Sequence, residues 1–475
     1  SQEEVTFDSD RDGSMVIYGT SGSGKTTLLR TIATAAGMRP EQGRVAVYCL
    51  DFASGGLSVL ARLPHVGSIV DGADTERIQR LLLTLDREMD KRTAAFTDAN
   101  AADLSQYRQL RDPAMQRIIV LIDNFAEFKK DWEYASGRQA AYRAFVRIMT
   151  EGRQLGIHTI MTADRANAIP TAIAANIQRR VILRLSDANQ YMMVGAPKDV
   201  LDDQAPPGRA IVDRHEAQVA VLGGSTNTAE QAQALDALAA RLREAGVDDV
   251  PEIGALPTKA PIASLPAVVD GQPLLGLADD TLAPCGFDPV GSFVITGPPA
   301  SGKTNMMKSL IMSVERFDPE VQLYHFGGRR AALREFRPWA GCASKEDDAK
   351  ELATHLTALL TDEDNKRRIM IVVEDVPHLG DSAAERAVRQ MFKAVRDSDH
   401  LLIGDADVSR ATAGVGVMGD WKSSRQGIAL KPDTYDGDAI FKTPFGKVKR
   451  ADFPAGRGIF VQAGRAVLVQ TPWVG

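Results

Sequence analysis

A glycine-rich stretch that occurs twice constrains the fold of this chain more than any other feature. The first copy is GTSGSGKT at residues 19–26, and the second is GPPASGKT at residues 297–304. A short apolar run precedes each copy, at 15–18 and 293–296, and apolar residues at helical spacing follow it. A buried strand, a glycine-rich turn and a helix in this order are typical of α/β folds. We therefore predict two modules of one design.

The remainder of each module supports this prediction, because apolar runs recur in the same order after both copies. The predicted second, third and fourth strands contain residues 45–48, 118–122 and 158–161 in the first module and 321–324, 369–373 and 400–403 in the second. The modules close on PGRAI at 207–211 and AGRGI at 455–459. We predict two α/β domains, residues 1–250 and 251–475, each with a parallel central sheet. An amphipathic helix is expected at 229–245, and a proline-rich connector with short strands at 251–289.

The two glycine-rich stretches have the chemistry of phosphate-binding loops, or P-loops. Their backbone N–H groups and the following helix N-terminus can hold a polyphosphate. Lys25 and Lys303 are expected to reach its terminal phosphates, and the hydroxyls of Thr26 and Thr304 to ligate Mg²⁺. We therefore predict ATP and Mg²⁺ as cofactors at both sites. The predicted nucleotide-binding residues are Gly19, Thr20, Ser21, Gly22, Ser23, Gly24, Lys25, Thr26, Thr27, Gly297, Pro298, Pro299, Ala300, Ser301, Gly302, Lys303, Thr304 and Asn305.

An acidic residue follows the third apolar run of the first module, in IIVLIDNF. Asp123 is predicted to hold the Mg²⁺ shell and to take part in catalysis with Lys25. Asn124 comes next, at the position where a base would activate water. An amide accepts no proton at neutral pH, so we expect slow hydrolysis. Glu127 is a candidate substitute.

The acids of the second module are arranged differently, in IMIVVEDV. Glu374 is predicted at the metal position and Asp375 at the base position, with Lys303 as the third catalytic residue. The usual order is an aspartate at the metal position and a glutamate at the base position, so each acid here differs from the usual one by one methylene. A displacement of a catalytic group by about 1 Å can cost on the order of a hundredfold in rate. The alternative is that both acids only cap the strand at the surface.

The fourth strands differ as well. Aligning HTIMTADR with HLLIGDAD places Gly404 opposite Thr162, a possible γ-phosphate sensor, and Asp407 opposite Arg165. On this alignment the second module has drifted from turnover toward binding.

Charge and composition argue against nucleic acid as the main partner. The formal net charge is −6, from 56 Lys and Arg against 62 Asp and Glu, whereas a protein that coats phosphates needs a dense basic field. The basic run at 441–450 is predicted to be a solvated hairpin face, and ASGGLS at 53–58 to be a turn. No apolar run reaches the about 18 residues of a membrane span. Because the sequence does not begin with Met, we expect a soluble fragment of a longer protein.

Two longer stretches resemble a known family. The runs LDFASGGLSVLARLPHVGSIV at 50–70 and RQLGIHTIMTADRANAIPTAIAANIQRRVILRLSD at 153–187 resemble the FtsK/SpoIIIE branch of RecA-like P-loop motors. The closing motifs PPGRAIV and PAGRGIFV, on two unequal modules, narrow the resemblance to the EccC-type ATPases of type VII secretion. The resemblance implies a fragment with the second and third ATPase modules.

The family properties are expectations of this resemblance. It implies a homo-hexamer at the cytoplasmic face of the bacterial inner membrane, with other membrane components of the secretion system as partners. The exported proteins would be small, helical and of the WxG type, and the last module would recognise their C-terminal signals. Arg180 and Arg425, taken as equivalent residues at the start of a fifth strand, are candidate arginine fingers, or else surface arginines. DNA is not expected as a partner. A DNA translocase and a non-hydrolysing ATP-bound scaffold remain the alternative functions.

Overall fold

The structure is a computed structural model that describes residues 4–135, 137–202, 204–225, 227–362, 364–380, 382–412 and 415–475. The chain divides into two compact units, Ser1–Gly254 and Ala255–Gly475. In the described part of the chain, no helix combines the length and apolar character needed to cross a bilayer.

The first unit is built on an eight-stranded sheet in the described residues. Its strands are β1 Met15–Tyr18, β2 Val45–Asp51, β3 Val66–Asp71, β4 Arg117–Asp123, β5 Ile157–Ala163, β6 Arg179–Leu183, β7 Arg209–Val212 and β8 His215–Gln218. The spatial order is β3-β2-β4-β5-β1-β6-β7-β8. Neighbouring strands from β3 to β6 are parallel, whereas β7 and β8 are antiparallel additions. The predicted α/β class with a parallel centre is confirmed, and the antiparallel edge adds to it.

Helices cover both faces of this sheet. They are α1 Ser9–Asp12, α2 Lys25–Gly37, α3 Thr75–Ala99, α4 Leu104–Leu110, α5 Phe125–Trp132, α6 Gln139–Glu151, α7 Thr171–Ala174, α8 Ala188–Met193 and α9 Thr228–Glu244. Alternate strand residues point to opposite faces, so Val16 lies in a core with α3, α5 and α6, and Ile17 in a core with α2 and α9. The amphipathic helix predicted at 229–245 is confirmed as α9, with Leu235 and Leu242 buried.

The second unit repeats this design with a longer antiparallel part. Its strands are β9 Val268–Val269, β10 Gln272–Ala278, β11 Pro284–Gly286, β12 Gly291–Thr296, β13 Gln322–Phe326, β14 Gly341–Ala343, β15 Ile369–Val373, β16 Leu401–Ala406, β17 Gln426–Leu430, β18 Arg457–Gln462 and β19 Arg465–Gln470. The order is β11-β10-β19-β18-β17-β12-β16-β15-β13-β14, and β9 pairs with β10. The six neighbouring strands β17, β12, β16, β15, β13 and β14 are parallel and form the centre of the sheet. The connector predicted at 251–289 contributes β10 to the sheet, beside β19.

The helices of the second unit again lie on two faces. They are α10 Lys303–Phe317, α11 Glu346–Leu360, α12 Val376–Gly380, α13 Glu385–Arg396, α14 Val408–Ala411 and α15 Gly416–Trp421. Helix α10 buries Met306 and Leu310 against one face, and α11, α13 and α15 cover the other. In both units the P-loop therefore joins a central parallel strand to a helix, at the carboxyl edge where α/β folds bind ligands.

Candidate nucleotide sites

The first P-loop is shaped by a glycine that has a left-handed backbone conformation and little room for a side chain. Gly24 precedes α2 with φ 106°, in the left-handed region, and α2 has no side-chain cap. A Cβ on Gly24 would lie 2.9 Å from the backbone N of Gly208. The Gly208 N–H donates to the carbonyl O of Ser23 at 2.8 Å. The closing motif at 207–211 therefore supports the P-loop directly, a role that sequence analysis did not assign to it.

The second P-loop has the same support. Gly302 has φ 101°, and its Cβ would lie 3.0 Å from the N of Gly456, whose N–H donates to Ser301 at 2.9 Å. The two loops differ at one left-handed position, where Gly22 with φ 72° is matched by Ala300 with φ 58°. The P-x-G-R pattern that follows both P-loops was the sequence signal for this contact.

Both P-loop lysines are folded onto their own loops. The ammonium of Lys25 donates to the carbonyl oxygens of Gly19 at 2.7 Å and Thr20 at 2.9 Å, and pairs with Asp164 at 2.7 Å. The ammonium occupies a pocket of carbonyl and carboxylate oxygens, so it must leave some of these partners to reach a phosphate.

Lys303 has the matching set of contacts in the second unit. Its ammonium donates to the carbonyl of Gly297 at 2.8 Å and pairs with Asp407 at 2.7 Å. The two lysine–aspartate pairs show that Asp164 and Asp407 hold equivalent places, and sequence analysis missed both as lysine partners.

The acid of the first site is connected to the P-loop threonine. Asp123 is 2% exposed, and its two carboxylate oxygens accept hydrogen bonds from Thr26 Oγ1 and Thr162 Oγ1, each at 2.6 Å. Thr162 Oγ1 in turn accepts the N–H of Asn124 at 2.8 Å. The structure thus brings Thr26 and Asp123 together, and Lys25 immediately precedes Thr26 at the start of α2.

The base position of the first site holds no proton acceptor of useful basicity. Asn124 lies in the left-handed region with φ 67°, and its amide donates to the carbonyl of Phe52 at 3.3 Å. The candidate substitute, Glu127, lies on α5 and pairs with Lys130 at 2.9 Å. Both arrangements disfavour rapid water activation at this site.

The corresponding acid of the second site, Glu374, is hydrogen-bonded to a loop and a histidine instead of to the P-loop threonine. Glu374 accepts the backbone N–H groups of Ala332 and Leu333 at 2.9 Å each, and it is 2.9 Å from Nε2 of His325. In the described residues, no hydrogen bond joins Glu374 to Thr304, in contrast to the Asp123–Thr26 pair. The predicted metal pair of Thr304 and Glu374 is therefore not assembled, because the loop after β13 occupies the carboxylate.

The second predicted acid of this site is paired with an arginine. Asp375 has φ 56°, in the same left-handed place as Asn124, and Arg410 donates to its two carboxylate oxygens at 2.9 and 3.0 Å. The side chains are 53% and 45% exposed, so solvent weakens the pair. The carboxylate is nevertheless oriented toward Arg410.

The alignment of the fourth strands made from the sequence is wrong by one residue. Ile17, two residues before the first P-loop, pairs with Thr162 in β5, whereas Ile295, two residues before the second, pairs with Asp405 in β16. The residue that matches Thr162 is therefore Asp405 and not Gly404. By the same register Asp407 matches Asp164 and not Arg165. The second unit has a carboxylate at the sensor position, so the predicted loss of a polar group there is wrong.

Asp405 is largely buried beside the second P-loop. Its Oδ1 accepts the N–H of Asp375 at 2.9 Å, as Thr162 accepts that of Asn124. Burial raises the pKa of Asp405 to about 6, against smaller lowering contributions from this hydrogen bond and from Lys303. The sensor position of the second site is thus occupied by a weak acid.

The two candidate arginine fingers are not equivalent, contrary to the sequence-based prediction. In β6, Arg180 pairs with Val16, and the matching pair in the second unit joins Val294 and Gly427. Arg425 lies two residues earlier, before β17, with φ 51°. Both arginines are exposed, and Arg180 donates to the carbonyl of Val194 at 3.2 Å. Similar sequence surroundings therefore hid a two-residue offset.

One predicted nucleotide-binding side chain has a different partner. The Asn305 amide donates to the carbonyl of Pro472 at 2.8 Å and accepts the N–H of Val474 at 2.9 Å. This side chain holds the segment at 472–474 against α10.

The P-loops themselves fit a polyphosphate. The first N–H groups of α2 and α10 have no acceptor within their helices, and neither helix has a side-chain cap. The hydroxyls of Ser23 and Ser301, at matching places in the two loops, are buried without a hydrogen-bond partner. The donor set for Mg²⁺ is present in the first unit, with Thr26 and Asp123, but Glu374 does not fit this role in the second.

The class of the first unit follows from this geometry and from its sequence relatives. Residues 1–211 match the model of the FtsK/SpoIIIE family. Over these residues the first unit is therefore similar to that family, and the resemblance predicted from the sequence is confirmed.

Over nearly its whole length the chain is similar to EccC-type proteins of type VII secretion. It is 24% identical to the ESX secretion system protein EccC of Thermomonospora curvata, over 97% of this chain and 37% of that protein. It is 29% identical to the ESX-4 secretion system protein EccC4 of Mycobacterium tuberculosis, over 59% of this chain and 21% of that protein. The chain thus spans well under half the length of these relatives.

Two solved structures share the tandem fold. One is T. curvata EccC (ATPases 2 and 3) in complex with a signal sequence peptide, with a TM-score of 0.71, 23% identity, and coverage of 99% of this chain and 90% of that one. The other is EssC (ATPases 2 and 3) from Geobacillus thermodenitrificans, with a TM-score of 0.80, 20% identity, and coverage of 100% and 94%. The fold of this chain is that of two consecutive ATPase domains of this kind.

Proposed function

We propose that this chain is the part of a type VII secretion ATPase that contains its second and third ATPase modules, at residues 1–250 and 251–475, and that both P-loops bind ATP. The observation that carries the proposal is the Thr26–Asp123 pair beside Lys25, at the start of α2, whose first N–H groups have no acceptor within the helix. The similarity to EccC along 97% of the chain supports the secretion role.

The residues of the first site suggest a division of labour. Lys25 turns from Asp164 to the terminal phosphates, and Thr26 with Asp123 holds the metal. Mg²⁺, when bound, screens the charge of the phosphates. Thr162 fixes the Asp123 carboxylate from the other side. Because Asn124 supplies no base, we expect slow turnover.

Single substitutions in the full chain test this assignment. Lys25→Ala and Lys303→Ala should each remove one of two ATP sites in equilibrium dialysis, and Asn124→Glu should raise turnover. A chain that binds no ATP at millimolar nucleotide would refute the P-loop assignment. Robust turnover by the parent chain that Lys25→Ala abolishes would instead point to another base, with Glu127 first in line.

We further propose that the second unit recognises the C-terminal signal of small helical WxG-type substrates. The support is the EccC structure of the same tandem fold with a signal sequence peptide. One short helix should bind weakly, in about the micromolar range, because ordering a flexible tail offsets much of the contact energy. Hydrogen exchange of the full chain with cognate peptide should show protection in residues 255–475. Protection confined to the first unit, or preference for duplex DNA over every peptide, would contradict this assignment.

The proposed oligomeric state also rests on the similarity to type VII secretion ATPases. We propose a homo-hexamer at the cytoplasmic face of the membrane, with other secretion components, in which Arg180 of one subunit approaches the site of a neighbour. Because Arg425 lies two residues before the position that matches Arg180, Arg180→Ala should slow turnover of the assembled protein more than Arg425→Ala. Equal rates for both variants and the parent would remove the arginine-finger role.

A non-hydrolysing scaffold is the second candidate for the second unit alone. The contacts of Glu374 with the loop after β13 and of Asp375 with Arg410 favour it, because neither carboxylate faces the P-loop threonine. A Lys25→Ala protein that still turns over ATP at the parent rate would exclude this candidate.

A further inference from the structure

The loop that follows the second strand lies beside the P-loop helix in the first unit. Here Asp51, at the end of β2, holds the loop by accepting the N–H groups of Ala53 at 3.0 Å, Gly55 at 3.4 Å and Leu57 at 3.1 Å. Asp51 is 5% exposed. Because Asp51 anchors the loop, Asp123 on the neighbouring strand remains available to the P-loop threonine.

The second unit lacks this anchor. In the first unit Asp51 is paired with Asp123 across β2 and β4. In the second unit Phe326 is paired with Val373 across β13 and β15, so the next residue, Gly327, lies opposite Glu374. Because Glu374 corresponds to Asp123, Gly327 occupies the position that Asp51 has in the first unit. A glycine has no side chain with which to hold a loop. A Cβ on Gly327 would also lie 2.8 Å from the Cβ of Ala331 and from the ring of His325.

Glu374 has taken over the anchoring role. It accepts the N–H groups of Ala332 and Leu333, the central part of the loop at 327–336. Its third partner, His325, is fully buried and stacks on Trp339 with the ring centroids 4.8 Å apart and an interplanar angle of 24°. Leu333 is buried in the core beneath the loop. The carboxylate is therefore fixed by three hydrogen-bond partners on the side of the loop.

We infer that Glu374 is a positioning residue for the loop at 327–336 rather than a metal ligand, and that the second P-loop binds nucleotide with little dependence on Mg²⁺. This inference rests on the proposed ATP binding at both P-loops. The phosphates are then held by the loop N–H groups, the N-terminus of α10 and Lys303, which need no metal.

Metal dependence is measured on the full chain with one site removed at a time. Lys303→Ala leaves the first site and Lys25→Ala leaves the second, and each is dialysed against radiolabelled ATP in excess Mg²⁺ or in EDTA. We expect at least about a tenfold loss of affinity at the first site in EDTA, and less than about a threefold change at the second. A tenfold or greater loss at the second site would overturn the inference. No binding there under either condition would instead refute the proposed function, so the two failures are distinguishable.

The anchoring role has a readout that needs no nucleotide. In Glu374→Ala, hydrogen exchange of the Ala332 and Leu333 amides should accelerate at least about tenfold, because both lose their acceptor. Asp123→Ala is the matched control, which removes the corresponding acid of the first unit and should leave these amides unchanged. The amides of β15 report whether the second unit stays folded. Unchanged exchange at the two loop amides with an intact β15 would show that Glu374 is not the anchor.

Discussion

Replacing Asp405 by asparagine should stabilise the second unit at neutral pH. Burial raises the pKa of Asp405 from 3.8 to about 6. One pKa unit corresponds to about 1.4 kcal/mol, so the ionised carboxylate costs the folded unit about 3 kcal/mol at pH 7. Asparagine removes this charge, and its side-chain oxygen still accepts the Asp375 N–H that Asp405 accepts at 2.9 Å.

The sign of the pH dependence follows from the raised pKa. The folded state binds the proton more tightly than the unfolded state, so the contribution of Asp405 favours folding below about pH 4 and is lost as the pH rises through 6. The gain from Asp405→Asn should therefore be about 2–3 kcal/mol at pH 7 and close to zero at pH 4.

Urea unfolding of the full chain, followed by hydrogen exchange at amides of β15 and β16, reports the stability of the second unit without requiring one transition for the whole protein. Asp407→Asn is the matched control, because Asp407 also lies beside the second P-loop, where it pairs with Lys303 at 2.7 Å, but its side chain is 46% exposed. A gain at pH 7 that persists at pH 4, or no gain at either pH, would refute the assignment of a costly buried carboxylate at this position.

Three further variants test the first unit. Gly24→Ala should abolish ATP binding because its Cβ meets the backbone of Gly208, whereas the control Gly22→Ala, with open space around its Cβ, should retain it, as dialysis will show. Thr162→Val should cost about 1–3 kcal/mol in urea unfolding, since the Asn124 N–H loses its acceptor. Burial, reinforced by Arg117, lowers the pKa of His158 to about 4, so His158→Gln should reduce the stability lost between pH 6.5 and pH 4. An unchanged acid limb of the stability profile would contradict this.

Much of the fold could be predicted because its signals are local. Each P-loop motif is preceded by a short, mostly apolar run and followed by apolar residues at helical spacing, and the structure has β1 and α2, and β12 and α10, in these places. The positions of Lys25, Thr26 and Asp123 relative to one another follow from the same local order, since parallel strands bring their carboxyl ends to one edge. The contacts of Lys25 with Asp164 and of Ser23 with Gly208 depend on chain segments far away in sequence, which no local pattern reveals.

The register of the fourth strands was assigned wrongly from the sequence because two histidines suggested a misleading alignment. His158 lies inside β5, whereas His400 precedes β16. A one-residue slip sends every side chain of a strand to the opposite face. The alignment on the two histidines therefore placed Gly404 at the position of Thr162, where the structure has the carboxylate of Asp405. The dipeptides Ala163-Asp164 and Ala406-Asp407, which both precede a change of direction, were the better guide.

The exchange of roles in the second unit involves two positions that depend on each other. With Gly327 in place of Asp51, the loop after β13 needs an acceptor from elsewhere, and a glutamate at 374 reaches the loop amides at 2.9 Å. Glu374→Asp alone would therefore not rebuild the arrangement of the first site. The shorter side chain would release the loop, and Gly327 has no group to hold it. An acid facing Thr304 requires a second acceptor for the loop at the same time, which the clash of a Cβ at 327 with Ala331 opposes. The structure thus explains why a site can keep a complete P-loop and still lose the acid that belongs to it.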